Sequence, residues 1–196
     1  MLYFLLLLLS ILPAFSQPQF TAGVKGGYVV DDALSVHYAR FTTNESGIGT
    51  IGGAAGIRLN SRLGAGMDVL YRRVGQSAVS FGGVLNTRAD VWETPVYGRF
   101  YPVRARLEPF VAGGYSFRSG AYQTVASTPF GGGGQRRIRE SNHGGHLGAG
   151  AELRVAAWLR LTAEYRYTRW RIEATIQPRE LMDRKNQHQV LLTLGF

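Results

Sequence analysis

Cysteine is absent from all 196 residues, so no disulfide holds the chain together and lipid attachment through an N-terminal cysteine is excluded. Beyond residue 16 no apolar run approaches the roughly 20 residues that a helix needs to cross a bilayer, which excludes a helical membrane protein. Acidic residues are scarce, 13 against 22 Lys and Arg, leaving a formal charge of +9 and a pI near 10.2. Such a balance attracts anions. Nucleic acid is its usual partner, but the export segment described next argues against nucleic acid and leaves anionic lipid headgroups as the expected partner. Histidine is limited to 4 residues, and no third ligand stands at useful spacing from His143 and His146. We therefore expect neither a metal nor any other cofactor.

What is present begins with a targeting segment. Leu2 to Phe15 is almost unbroken apolar sequence without Lys or Arg, and Ala14-Phe15-Ser16 puts small residues at the two positions that signal peptidase inspects. The run, about fourteen residues, falls short of a membrane anchor. Residues 1–16 are expected to be a signal peptide cleaved before Gln17, and residues 17–196 a single exported domain.

The mature chain reads as all-β. The full sequence is rich in Gly (26), Tyr (10) and Phe (10), and alternating stretches fall near 20–30, 48–59, 63–74, 88–101, 108–118, 144–155, 158–170 and 187–196. Connections after the second, fourth and sixth stretches are short, at 60–62, 102–107 and 156–157. Those after the first, third, fifth and seventh are long, at 31–47, 75–87, 119–143 and 171–186, and structureless loops of that length are uncommon in compact soluble domains. One face of the stretches carries residues such as Val24, Ile51, Met67, Val96, Val111, Leu147, Leu161 and Leu192, and between its aromatic ends no Asp, Glu, Lys or Arg. The other carries Lys25, Arg58, Asp68, Arg72, Glu93, Arg99, Glu108, Arg118, Glu152, Arg154, Arg160, Glu164 and Arg166. Alternation alone does not say which face is inside. Glycine does: Gly27, Gly66, Gly114 and Gly150 lie on the charged face, where they make room for long side chains inside a narrow tube but would only weaken a solvated strand. Aromatic residues fall at both ends of the apolar face, Tyr28, Tyr71, Trp92, Phe117 and Tyr167 at one and Phe20, Phe100 and Phe196 at the other. Two girdles around an aliphatic band suit a bilayer.

Val91-Trp-Glu-Thr-Pro-Val-Tyr-Gly-Arg-Phe-Tyr101, Glu108-Pro-Phe-Val-Ala-Gly-Gly-Tyr115 and the last stretch, Asn186 to Phe196, together with the leader, resemble the small eight-stranded outer-membrane β-barrels of the outer-membrane protein A transmembrane type. The resemblance covers the whole mature chain. It implies an eight-stranded antiparallel up-and-down transmembrane β-barrel in the cell outer membrane, monomeric and non-enzymatic, with its long loops outside. It also implies that the terminal Phe196 is part of the signal read by the barrel assembly machinery. No peptidoglycan-binding domain follows Phe196, so that role of some relatives is not expected.

Three sets of residues are candidates for function. Eight strands enclose a space that side chains just fill, so the inner ions must be paired. We expect a plugging charge network of Lys25, Arg58, Asp68, Arg72, Glu93, Arg99, Glu152, Arg154, Glu164 and Arg166 rather than a narrow ion-selective pore. Arg136, Arg137 and Arg139, beside the flexible Gly131–Gly134 tract, are candidates for contact with lipopolysaccharide phosphates, which guanidinium geometry suits, against the plainer reading of a solvated loop. Ser141 and His143, with Asn142 and His146, offer the one hint of hydrolysis, because some barrels of this architecture deacylate lipid A, yet no spacing secures a base or an orienting acid. No catalytic residue is expected. The function expected is adhesion, ligand contact or envelope integrity through the outer loops. A lipid A-modifying hydrolase and a soluble periplasmic lipocalin-like carrier are the alternatives. Asn44-Glu45-Ser46 fits a glycosylation sequon by chance.

Overall fold

Strand pairing runs full circle. The computed structural model describes residues 18–31, 42–46, 49–80, 83–127, 133–171 and 186–196. These form β1 (Gln19–Asp31), β2 (Thr42–Ser46), β3 (Gly49–Arg58), β4 (Leu63–Ser80), β5 (Gly83–Phe100), β6 (Leu107–Ser127), β7 (Gly133–Arg154), β8 (Arg160–Arg171) and β9 (Asn186–Gly195). All pairings are antiparallel. Around the wall the order is β3, β1, β9, β8, β7, β6, β5, β4, and β4 returns to β3. β1 meets β9 from Gly23↔Gly195 to Tyr28↔Val190, and Ala22 and Phe196 exchange backbone hydrogen bonds of 3.0 and 2.8 Å. Closure leaves no sheet edge at membrane depth, as a bilayer requires. β2 and β3 share one edge of β4, where the pairing passes from Ser46↔Gly75 to Ile51↔Tyr71. Five steps on one side answer four on the other, so the two segments are one stave with an offset, and the barrel has eight staves as expected. The proposed signal peptide, residues 1–16, lies outside the described residues.

The short connections are local devices. Asn60 Oδ1 accepts hydrogen bonds from the backbone N–H groups of Arg62 and Leu63, both 2.8 Å, which closes the turn between β3 and β4. The β7–β8 turn closes with Val155 N donating to Leu159 O at 3.0 Å. With 102–106 these turns lie at the end of the barrel that carries Gln19 and Phe196, the periplasmic end in proteins of this architecture.

The opposite end departs from expectation. Segments 75–87 and 119–143 were expected as loops, but they are mostly strand: β4 and β5 stay paired out to Ser80↔Gly83, and β6 and β7 out to Ser127↔Gly133. Two strands of a hairpin satisfy one another's backbone groups whether or not lipid surrounds them, so pairing that starts in the wall continues beyond it. Gly83, the first residue of β5, is at φ 140°, a backbone conformation that favours glycine. β4 to β7 contain 18, 18, 21 and 22 residues, about twice the 9–11 that span a membrane, and their outer halves stand above the barrel as a sheet. Of the other long connections, 32–41 and 172–185 lie outside the described residues.

The two faces sort as their chemistry demands. Val24, Ile51, Met67, Val96, Val111, Leu147, Leu161 and Leu192 are exposed on the outside, while Lys25 and Asp68 are wholly buried. A soluble protein would invert that arrangement. The inner glycines are a packing requirement: Gly66 faces Tyr97 across the β4–β5 pair, and a Cβ there would lie 2.8 Å from the Tyr97 ring. Leucine at Gly66 would push that ring off its site, and we expect a loss of about 1–3 kcal/mol in urea unfolding from lipid vesicles. An unchanged unfolding midpoint would show that the lumen has room to spare.

Candidate functional site

The inner face gathers its charges in three tiers. In the middle tier Asp68 (β4) is the hub. Its Oδ2 accepts from Lys25 Nζ and Arg166 Nη2, each at 2.7 Å, and its Oδ1 from the Tyr97 hydroxyl at 2.8 Å. Glu164 (β8) binds both cations from the other side, Lys25 at 3.2 Å and Arg166 at 2.6 Å, and adds Arg99 at 2.9 Å. The tier thus joins β1, β4, β5 and β8 across the bore. Tyr97 lies beneath it, with the Arg99 guanidinium 4.8 Å from its ring centre, a cation–π contact that adds to the ion pairs.

In the outer tier Glu93 (β5) pairs with Arg72 at 3.4 Å and accepts hydrogen bonds of 2.9 Å from each of Gln187 and Gln189 on β9. Gln187 in turn accepts from the Trp170 indole at 2.7 Å, and Arg118 lies 4.4 Å over that ring. In the periplasmic tier Glu108 pairs with Arg58 at 2.6 Å and more loosely with Arg154 at 3.8 Å. Glu152 pairs with Arg160 at 2.8 Å and accepts from Tyr101 at 3.2 Å. A cavity of about 60 Å³ adjoins this tier, lined by Tyr97, Arg99, Tyr101, Glu152, Arg160 and Thr193 among others. It has room for a few water molecules, far less than a channel through the bore needs. Taking an ion out of water costs several kcal/mol, which only close and repeated pairing offsets. The tiers supply that pairing with partners drawn from distant strands, so they also hold the staves in register.

All ten residues expected to form the network face the lumen, and the three tiers distribute them. Sequence reasoning missed the neutral partners Tyr97, Tyr101, Gln187, Gln189 and Trp170. Each shares the strand parity of its charged neighbours, and that parity was the available signal. It also missed the buried contact of 2.7 Å between Ser116 Oγ and His146 Nδ1.

Outside the bore, the outer half of the hairpin sheet presents a second cluster. Arg88, Gln123 and Arg137 lie in one cross-strand row, with Asp90, Ala121 and Arg139 in the row nearer the membrane. Arg88, Arg137, Arg139, Arg169 and Arg171 are exposed, on the same face of the sheet as the aromatic girdle below. Arg73 pairs with Asp90 at 3.1 Å, and Tyr71 donates to the same carboxylate oxygen at 2.6 Å. Those hydrogen bonds, Tyr71 first and then Arg73, hold the Asp90 carboxyl below the usual carboxylate range. Arg136 is in β7 opposite Thr124, out of phase with Arg137 and Arg139, and its side chain lies outside those described.

The residues considered for hydrolysis do not assemble. Ser141 and His143 sit two apart on the outward face of β7, and the His143 ring stacks on Tyr115 with centroids 5.7 Å apart. His146 faces the lumen, on the other side of the wall. Among the described residues no group of His, Cys, Asp or Glu is placed to hold a metal ion.

An apolar outer band between aromatic girdles, a closed wall and a bore filled by ion pairs define an integral membrane β-barrel with a plugged lumen. The chain belongs to the outer membrane protein beta-barrel domain family, whose sequence model matches residues 4–196. Its structure is similar to that of the outer membrane protein OprG from Pseudomonas aeruginosa, with a TM-score of 0.56 at 8% identity over 92% of this chain and 95% of that one. The attachment invasion locus protein Ail of Yersinia pestis aligns with a TM-score of 0.48 at 12% identity, over 91% and 95% of the two chains. No curated protein sequence matches. The protein is thus an integral β-barrel of the cell outer membrane, and its outward apolar face argues against the soluble-carrier alternative.

Proposed function

We propose that the protein works without catalysis, at the cell surface, by holding phosphorylated saccharide of lipopolysaccharide against the outward face of its hairpin sheet. One observation carries this reading. Arg88, Arg137 and Arg139 project from the same face as the lipid-contacting wall, just beyond the aromatic girdle, at the height where lipid phosphates begin. Guanidinium forks suit phosphate oxygens, and the cross-strand pairing of the hairpins sets their spacing. Arg169 and Arg171 on β8 extend the same basic belt. Such a belt anchors the barrel in a lipopolysaccharide leaflet and supports envelope integrity, and it leaves the outermost parts of the hairpins free for contact with other surfaces.

Replacing Arg137 and Arg139 by Gln should weaken binding of the refolded protein to lipopolysaccharide by about tenfold at low ionic strength, with the difference shrinking as salt rises, because exposed charges are screened beyond about 10 Å at 0.1 M. Binding that is independent of salt and unchanged in the variant would return these arginines to the role of solvated surface.

A further inference from the structure

At the periplasmic end the turn after β5 and the turn after β7 lie side by side, because β6 and β7 pair. Arg154 N donates to Arg106 O at 3.0 Å, which ties the turns together. Between them runs an open groove lined by Arg104, Ala105, Arg106, Arg154, Val155 and Ala156. Three of its six lining residues are arginines, and the nearby acids are already engaged. Glu108 is closed on Arg58 at 2.6 Å and reaches Arg154 only at 3.8 Å, while Glu152 is held by Arg160. Arg104 and Arg106 are exposed and form no ion pair among the described residues. Close to the lining residues in the chain are apolar ones: Val103, Leu107 and Trp158 are all more than half exposed, and Leu107 pairs with Leu153 at the foot of the lipid-facing wall.

We propose that this groove binds the phosphate of an anionic phospholipid in the inner leaflet, with the acyl chains lying on the wall from Leu107 towards the membrane midplane. The site is independent of the lipopolysaccharide belt at the other end of the barrel. Charge selects the occupant's headgroup, since unpaired guanidiniums favour a phosphodiester. Continuity selects a lipid over a free anion, because Val155 in the groove wall is half-exposed and follows the outward parity of Leu147 and Leu153 on β7, so the groove adjoins the apolar band. Trp158 supplies the interfacial ring that commonly marks headgroup depth.

Native mass spectrometry of the whole protein in a nonionic detergent, titrated with dioleoylphosphatidylglycerol or with dioleoylphosphatidylcholine, tests the assignment. We expect the phosphatidylglycerol adduct to form at about tenfold lower concentration, as each basic residue near an anionic surface contributes on the order of a factor of five. R104Q/R106Q, whose side chains are exposed and whose folding is checked by heat-modifiable gel mobility, should lose that preference, and R104Q alone should lose part of it. R137Q/R139Q should keep it, which separates this site from the outer belt. No headgroup preference in the native protein, or a preference intact in R104Q/R106Q, would overturn the proposal. Displacement of the lipid by inorganic phosphate at micromolar concentration would make this a free-anion site and also overturn it. Co-sedimentation with peptidoglycan sacculi that depends on Arg104 and Arg106, without any lipid preference, would assign the groove to the cell wall instead.

Discussion

Replacing Asp68 by alanine is expected to cost the barrel about 3–5 kcal/mol, the range for removing one partner of a buried ion pair. Asp68 is fully buried and takes three donors at once, Lys25, Arg166 and the Tyr97 hydroxyl. Without it, Lys25, Arg99 and Arg166 crowd around the single carboxylate of Glu164. Two of those cations are on different strands from Glu164, so the loss falls on the closure of the barrel as well as on one contact. Asp68→Asn should cost less, because its amide oxygen still accepts one hydrogen bond. A double variant, Asp68→Leu with Lys25→Met, should recover much of the loss, since an apolar pair of similar size needs no desolvation. Reversible urea unfolding in vesicles, followed by tryptophan fluorescence, measures all three. A cost under about 1 kcal/mol for Asp68→Ala would mean that water hydrates the middle tier as well as an exposed ion pair is hydrated.

The wall was legible in the sequence because its two faces differ in kind. A charge-free face from Val24 to Phe196, opposite glycines that leave room for arginine, admits one orientation once a bilayer is assumed, and the family match and the exposures agree with it. The lumen was legible residue by residue only where a residue is charged. Gln187 and Gln189 alternate like any polar strand residues, and nothing in their spacing tells that they close on Glu93, which lies 94 and 96 positions away. Tyr97 and Trp170 share the parity of Arg99 and Arg166, but an aromatic side chain does not by itself declare that it will hydrogen-bond Asp68 or Gln187. The hairpins beyond the membrane were misread as loops for a different reason. Gly75 to Thr87 is polar and glycine-rich, and the two-faced pattern weakens once no lipid demands it, although the backbone pairing persists. The periplasmic groove depends on two turns about fifty residues apart meeting through the β6–β7 pairing, which local pattern cannot foresee.

Leu192→Arg is expected to cost about 2–4 kcal/mol, the penalty for a cation on the lipid face at the midplane of such barrels. Leu192 is 55% exposed on the outside of β9, with Gly26 of β1 and Ala163 of β8 as its neighbours. Along β9 it stands midway between Phe196 in the periplasmic girdle and His188, which packs against Tyr167 in the outer one with centroids 5.1 Å apart. Small neighbours offer no polar group to a guanidinium there, and its stem would have to bend about ten ångströms to reach either headgroup layer, further than snorkelling easily carries it. Leu161→Arg is the control for depth. Leu161 is on the same face, opposite Leu153 and Leu194, but beside the periplasmic turn, so its arginine can turn to the headgroups and should cost about 1 kcal/mol. The comparison isolates the bilayer, since both changes place the same cation on the same apolar surface. Equal costs at the two sites would show that the penalty comes from strand packing, and a negligible cost at Leu192 would place the lipid band elsewhere on the wall.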